Sequence, residues 1–136
     1  MENDEVFDIQ KSVNFWVVGA DDDFDTMMAM YNTKRYNWSL FLGHLMIEKL
    51  LKAYYTKTQK IYPQKTHNLF KLAKDCKLEL NEEKTLQLTT LTAFNINARY
   101  DDYKRSFYKK CTTEFTEKWI EIIKELRLWI KKLIKS

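Results

Sequence analysis

Glycine and proline are nearly missing from this chain, with two glycines and one proline in 136 residues. A multi-strand meander needs turn residues at about every 8–12 positions, so the scarcity argues against a β fold and for helices. Cysteine is equally scarce. Cys76 and Cys111 stand alone, without the close spacing of a zinc motif or the number needed for a disulfide framework. Two free thiols in a reducing compartment are the expected state. No apolar run approaches the roughly 20 residues that a membrane span needs. The acidic opening Met1-Glu2-Asn3-Asp4-Glu5 is not followed by a short apolar region and small-residue cleavage site, so no signal peptide is expected and a cytoplasmic location is the default. A large excess of one charge is also lacking. The formal net charge is +4, weighted toward the C-terminal quarter, Lys104-Arg105 and Lys109-Lys110, which is compatible with nucleic acid without requiring it.

What is present is helical periodicity. Val13, Val17, Ala20, Phe24, Met27 and Tyr31 step by alternating fours and threes, which predicts one amphipathic helix running through the cluster Asp21, Asp22, Asp23 and Asp25. Those aspartates fall largely off the apolar stripe. They are expected to be a solvated face, since helical carboxylates without a histidine or a partner helix bring few metal ligands. A second helix is predicted from Tyr36 to Lys57, and a loop around Pro63 should end with Thr66 capping a short helix from His67 to about Asp75. Asn81 is placed to cap the next helix, with Glu82 and Glu83 in its first turn and Leu88, Leu91, Phe94 or Asn95, and Ala98 facing inward. From Arg99 to Thr113 no clean period survives, and a loop with some helical turns is expected. The last helix carries Phe115, Trp119, Ile122, Leu126, Trp129 and Leu133 as its stripe, flanked by Ile123 and Ile130. At this length the chain, residues 1–136, should form a single domain, an all-α up-and-down bundle of about five helices.

The segment Trp38 to Tyr55 is the most informative. It is apolar on nearly every side, as a helix buried in a bundle must be, and only His44, Glu48, Lys49 and Lys52 interrupt it. At about 100° per residue, His44, Glu48 and Lys52 share one stripe, with Glu48 ahead of Lys52 in the favourable order. The run Leu45-Met46-Ile47-Glu48-Lys49-Leu50-Leu51-Lys52-Ala53 is followed by Pro63, by Thr66-His67-Asn68-Leu69, and by Ala98-Arg99-Tyr100-Asp101. In this order and spacing it resembles the HEPN domain (higher eukaryotes and prokaryotes nucleotide-binding). That family has a helix reading roughly EKxLKA, a Pro-containing turn into T-H-D-L and a late A-R-Y motif. Ala20 and Asp23-Phe24 fit its A-x-x-D-L signature, and the likeness runs from about Phe15 to Tyr103. Asn68 in place of Asp, and Asp101 where Pro is frequent, are departures.

The resemblance directs attention to Arg99. Nuclease members of the family follow this Arg, after about four to six residues, with a His, and the pairs from two subunits make a metal-independent RNA-cleaving site. A guanidinium stabilises charge on the phosphate while an imidazole moves protons near neutrality. Here the corresponding positions are Lys104, Arg105 and Ser106. The only histidines, His44 and His67, lie elsewhere and are expected to be structural. Two readings of Arg99 stay open. It could form a phosphate pocket with Lys52 or Lys49, or it could pair with Glu48 or Asp23 inside the bundle, which the nearby carboxylates favour.

The resulting expectation is a HEPN-type module without catalysis. Glu48, Lys49, Lys52, Asn95, Arg99, Tyr100, Asp101, Tyr103 and Lys104 are the candidate ligand-binding residues. Tyr103, Phe107 and Tyr108, interleaved with Lys104, Arg105, Lys109 and Lys110, resemble a single-strand RNA contact. No metal or cofactor site is expected. The resemblance implies a homodimer whose Arg99 regions approach each other, with an interface from the end of the fourth helix to Phe107. It also implies a nucleotide or RNA ligand and a small nucleotidyltransferase as protein partner in a toxin–antitoxin-like pair. The alternative is an RNase with an atypical site.

Overall fold

The computed structural model describes residues 8–136, and the acidic opening read against a signal peptide lies outside them. Six helices follow one another: α1 (Ile9–Asn32), α2 (Tyr36–Gln59), α3 (Leu69–Asp75), α4 (Glu82–Arg99), α5 (Asp101–Lys110) and α6 (Thr113–Lys135). No strand occurs among the described residues, so the all-α expectation holds with one helix more than anticipated. Helix α2 packs against each of the other five. It buries Leu40, Met46, Ile47, Leu50, Leu51 and Ala53 completely, more fully buried apolar side chains than any other described helix has. No described helix is long and apolar enough to cross a membrane.

Scarce glycine is used where backbones must come close. A Cβ on Gly43 would stand 2.6 Å from Ile123 Cδ1 and 3.3 Å from Met27 Sδ, so this position lets α1 and α6 both press onto α2. Because Ile123 sits at that close approach, the deepest side of α6 centres on Thr116, Ile123 and Ile130, with Trp119, Ile120 and Leu126. The stripe read from the sequence is rotated from it, and Phe115, Ile122, Trp129 and Leu133 are only half-buried. The helix ends have no glycine at all. Lys34, Lys60 and Lys77 take left-handed backbone there, with φ of 63°, 62° and 62°. This conformation costs a residue with a Cβ roughly 1–2 kcal/mol.

Two boundaries differ from the sequence reading. Asn68, not Thr66, caps α3, its Oδ1 accepting from Lys71 N at 3.1 Å, while Thr66 Oγ1 accepts from Asn68 N in the preceding turn. The segment after Arg99 is a helix, α5, rather than a loop. It buries only Phe107, so no stripe betrays it. Its ends are favourable, with Asp101 and Asp102 in the first turn and Lys109 and Lys110 in the last. The cap predicted at Asn81 is present, accepting from Lys84 N at 2.7 Å.

The acidic cluster is not uniformly solvated. Asp21 accepts from Lys131 Nζ at 2.9 Å and lies 3.5 Å from Arg127, tying α1 to α6. Asp23 accepts from Lys49 Nζ at 2.7 Å, tying α1 to α2. Asp22 and Asp25 are the exposed pair. The geometry makes two of the four into cross-helix braces because each faces basic residues of a different neighbouring helix, α6 for Asp21 and α2 for Asp23, that the periodicity alone did not place. Among the described residues no three His, Cys, Asp or Glu side chains converge as a metal site.

Candidate nucleic-acid interface

The polar stripe of α2 lies inside the bundle. Glu48 and Lys52 are both buried, with Lys52 Nζ donating to Glu48 Oε2 at 3.0 Å. Glu48 Oε1 takes a second bond from His67 Nδ1 at 2.8 Å, which clamps the loop before α3 onto α2. The Lys52 ammonium also stands 5.3 Å from the centre of the Trp16 ring. Both oxygens of the carboxylate are therefore occupied by protein, and Glu48 and Lys52 do not line an open pocket. Lys49 points elsewhere, to Asp23. The predicted pocket of Arg99 with Lys52 or Lys49 is not assembled, because those two lysines already have carboxylates within 3.0 Å.

His44 is fully buried. Its Nε2 lies 2.9 Å from the carbonyl oxygen of His67 and its Nδ1 lies 3.3 Å from Asn95 Nδ2. Burial lowers its pKa below the ordinary value of 6.5, outweighing the His67 carbonyl and Glu48, which favour the charged ring. Asn95, also buried, holds Arg99 twice. Arg99 Nη2 donates to Asn95 Oδ1 at 2.5 Å and Nε donates to Asn95 O at 3.1 Å. Arg99 itself is exposed and has no carboxylate partner among the described residues. The ion pair expected with Glu48 or Asp23 is absent because Lys52, His67 and Lys49 occupy those carboxylates.

From Arg99 a line of cation–aromatic contacts runs along α2. The guanidinium lies 5.1 Å from the Tyr100 ring and 6.0 Å from Phe41, Phe41 meets Trp38 edge-on at 5.8 Å, and Lys104 Nζ sits 5.1 Å above Trp38. Trp38 in turn forms the wall of a groove of about 850 Å³ between the α1–α2 turn and α5. Thr33, Lys34, Arg35, Asn37, Asp101, Lys104, Arg105, Tyr108 and Lys109 complete its lining. Five cations face the single carboxylate of Asp101. A surface with one sign of charge beside aromatic rings can hold phosphates on the first and bases on the second.

Of the residues anticipated from sequence, Arg99, Tyr100, Asp101 and Lys104 belong to this strip and groove. Asn95 supports them from the interior, and Tyr103 is exposed on the neighbouring face of α5. Glu48, Lys49 and Lys52 are structural ion-pair members. Phe107, grouped with the RNA-contacting aromatics, is buried against Phe94 at 5.1 Å and faces the core. The groove residues that sequence reasoning missed are Thr33, Lys34, Arg35, Asn37 and Trp38. A Lys-Arg pair in the predicted turn between two helices was the available signal.

Both cysteines are buried, and burial pushes each thiol up to about 12, so neither supplies a nucleophile. Comparison with curated proteins and with solved structures gave no significant match. A family model described as HEPN domain matches residues 13–133, nearly the whole bundle including both walls of the groove. The chain belongs to the HEPN domain family.

Proposed function

We propose that this protein is a catalytically silent HEPN module that binds RNA or a nucleotide through its phosphates in the groove between α2 and α5. The observation that supports this reading is the groove itself, where Lys34, Arg35, Lys104, Arg105 and Lys109 gather beside Trp38 and Tyr108. The placement of the imidazoles supports the absence of catalysis. His67 is engaged by Glu48, and His44 is sealed inside and separated from Arg99 by Asn95. Lys104, Arg105 and Ser106, at the positions where the family's nucleases carry their His, cannot shuttle protons at neutral pH without large pKa shifts.

The module acts as a homodimer. Ile96, Tyr100 and Tyr103, at the end of α4 and on α5, are about half exposed and offer apolar surface near Arg99 in the chain that a second copy can cover. A small nucleotidyltransferase, in a toxin–antitoxin-like pair, is the protein partner that the family resemblance suggests.

Anisotropy of a fluorescein-labelled single-stranded RNA, titrated with protein at several salt concentrations, tests the binding. Neutralisation of phosphates by all five cations gives a log–log salt slope near about −3.5, and each cation removed lessens it by about 0.7. Lys104→Ala with Arg105→Ala is expected to weaken binding and flatten the slope. Labelled RNA should remain uncut in metal-free buffer. Cleavage that disappears in Arg99→Ala would restore the RNase reading, and a monomer by light scattering at micromolar concentration would contradict the dimer.

A further inference from the structure

We propose that His44 and Asn95 are positioning residues for the phosphate site, with the hydrogen on the His44 ring setting the direction of the Asn95 amide and that amide fixing the Arg99 guanidinium. The inference rests on the phosphate-binding reading above and deepens it by adding Arg99, which lies outside the groove lining at the far end of the line from Phe41 through Trp38 to Lys104, as a further phosphate contact.

The bonds leave one self-consistent arrangement. A carbonyl oxygen carries no hydrogen, so the 2.9 Å contact from His44 Nε2 to His67 O requires the hydrogen on Nε2. The neutral ring then presents a lone pair at Nδ1, and the group 3.3 Å away must donate, which places the NH₂ of Asn95 there. The amide oxygen is thereby turned outward, where Arg99, which has only donors, meets it at 2.5 Å. Charging His44 would put an N–H against the Asn95 NH₂. The amide would have to flip, and its NH₂ would then confront the guanidinium, donor against donor.

The groups that face His44 pull in both directions, the His67 carbonyl and Glu48 toward the charged ring and the His67 ring and Arg99 away from it, and burial decides for the neutral ring. Glu48 Oε1 is 3.9 Å away but already engaged by His67, the His67 ring centroid lies at 6.3 Å, and Arg99 contributes a positive charge beyond Asn95. Because His44 and Asn95 are sealed from water, no solvent replaces a broken bond, and the preference passes undiminished to the surface. Arg99 commits two of its five N–H groups to Asn95. Three remain for a phosphate, and their direction is fixed by the two that are held.

Two substitutions separate the roles of the ring. His44→Asn keeps an acceptor where Nδ1 stands but is too short to reach the His67 carbonyl. His44→Gln places an amide nitrogen where Nε2 stands and offers nothing at the Nδ1 position. With fluorescein-labelled oligouridylate as probe, His44→Gln is expected to keep the native melting temperature within a few degrees and to weaken binding about tenfold, as Arg99→Ala does. The double variant His44→Gln with Arg99→Ala should bind no more weakly than Arg99→Ala alone. His44→Asn should melt earlier and bind as the native protein does. Native binding in His44→Gln, while Arg99→Ala is impaired, overturns the proposal and leaves the phosphate site standing. Native binding in both Arg99→Ala and the Lys104→Ala, Arg105→Ala variant instead removes the phosphate site, and the proposal with it. Should His44→Gln fail to fold, imidazole ¹⁵N shifts of the native protein decide: a neutral ring with hydrogen on Nε2 at pH 7 is expected, and hydrogen on Nδ1 or a charged ring refutes the relay.

Discussion

Replacing Glu48 by alanine removes a buried carboxylate that pairs Lys52 and holds the loop before α3 onto α2. Its oxygens take Lys52 Nζ at 3.0 Å and His67 Nδ1 at 2.8 Å, and the Glu48 and Lys52 side chains are each 8% exposed. The loss leaves an ammonium group buried without a counter-ion, which costs about 3–5 kcal/mol in comparable sites. The Trp16 ring, 5.3 Å from Lys52 Nζ, offsets about 1 kcal/mol of that. His67 is largely exposed, so water takes over much of its bond. A net loss of about 2–4 kcal/mol is expected, read by urea unfolding followed through tryptophan fluorescence with an unchanged m-value. Removing both charges together has a different consequence. Glu48→Leu with Lys52→Met eliminates the desolvation cost of both ions and should lie within about 1 kcal/mol of the native protein or above it. If the single variant loses under 1 kcal/mol, or the double variant is no more stable than the single, the ion pair is not the brace described.

Arg99→Ala should lower stability by less than about 1 kcal/mol in the same assay, because Arg99 is exposed and, among the described residues, hydrogen-bonds to Asn95 without a carboxylate, whereas a buried ion-pair member would cost about 3–5 kcal/mol. Gly43→Ala gains about 1 kcal/mol of helix propensity but forces a Cβ to within 2.6 Å of Ile123 Cδ1. A net loss of about 1–2 kcal/mol is expected, and Ile123→Val, which deletes that methyl, should recover part of it in a double-mutant cycle. Burial holds the folded-state pKa of His44 below 6.5. The unfolded chain therefore binds the proton first as pH falls, so this contribution is complete above about pH 6.5 and is lost below it. The slope reaches at most about 1.4 kcal/mol per pH unit until the folded-state value is passed, and unfolding curves at pH 7 and pH 5 should differ less in His44→Gln than in the native protein. Lys77→Gly, at a left-handed helix end with φ of 62°, should raise stability by roughly 0.5–1 kcal/mol in thermal melts.

The sequence by itself determined the helices whose burial is periodic. Val13, Ala20 and Met27 in α1, and Leu88, Leu91 and Ala98 in α4, fall on the buried faces their spacing announces. The near-continuous apolar run of α2 identified the central helix for the same reason: a helix surrounded by others has no polar side to show. The family motif was legible too, since it consists of residue types in order along the chain. Helix α5 was not, because one buried residue makes no period and its stability comes from end charges and from docking beside α4. The partners of the charged residues were equally hidden. Periodicity placed Glu48 and Lys52 on one stripe, but only packing decided that Lys49 turns to Asp23, that Lys52 and His67 occupy Glu48, and that Arg99 is left to Asn95 and the surface. The groove belongs wholly to the tertiary structure. Lys34-Arg35 and Lys104-Arg105 are far apart in the chain and meet only because α5 folds back beside the α1–α2 turn, and the charge density that attracts phosphate depends on distances in space.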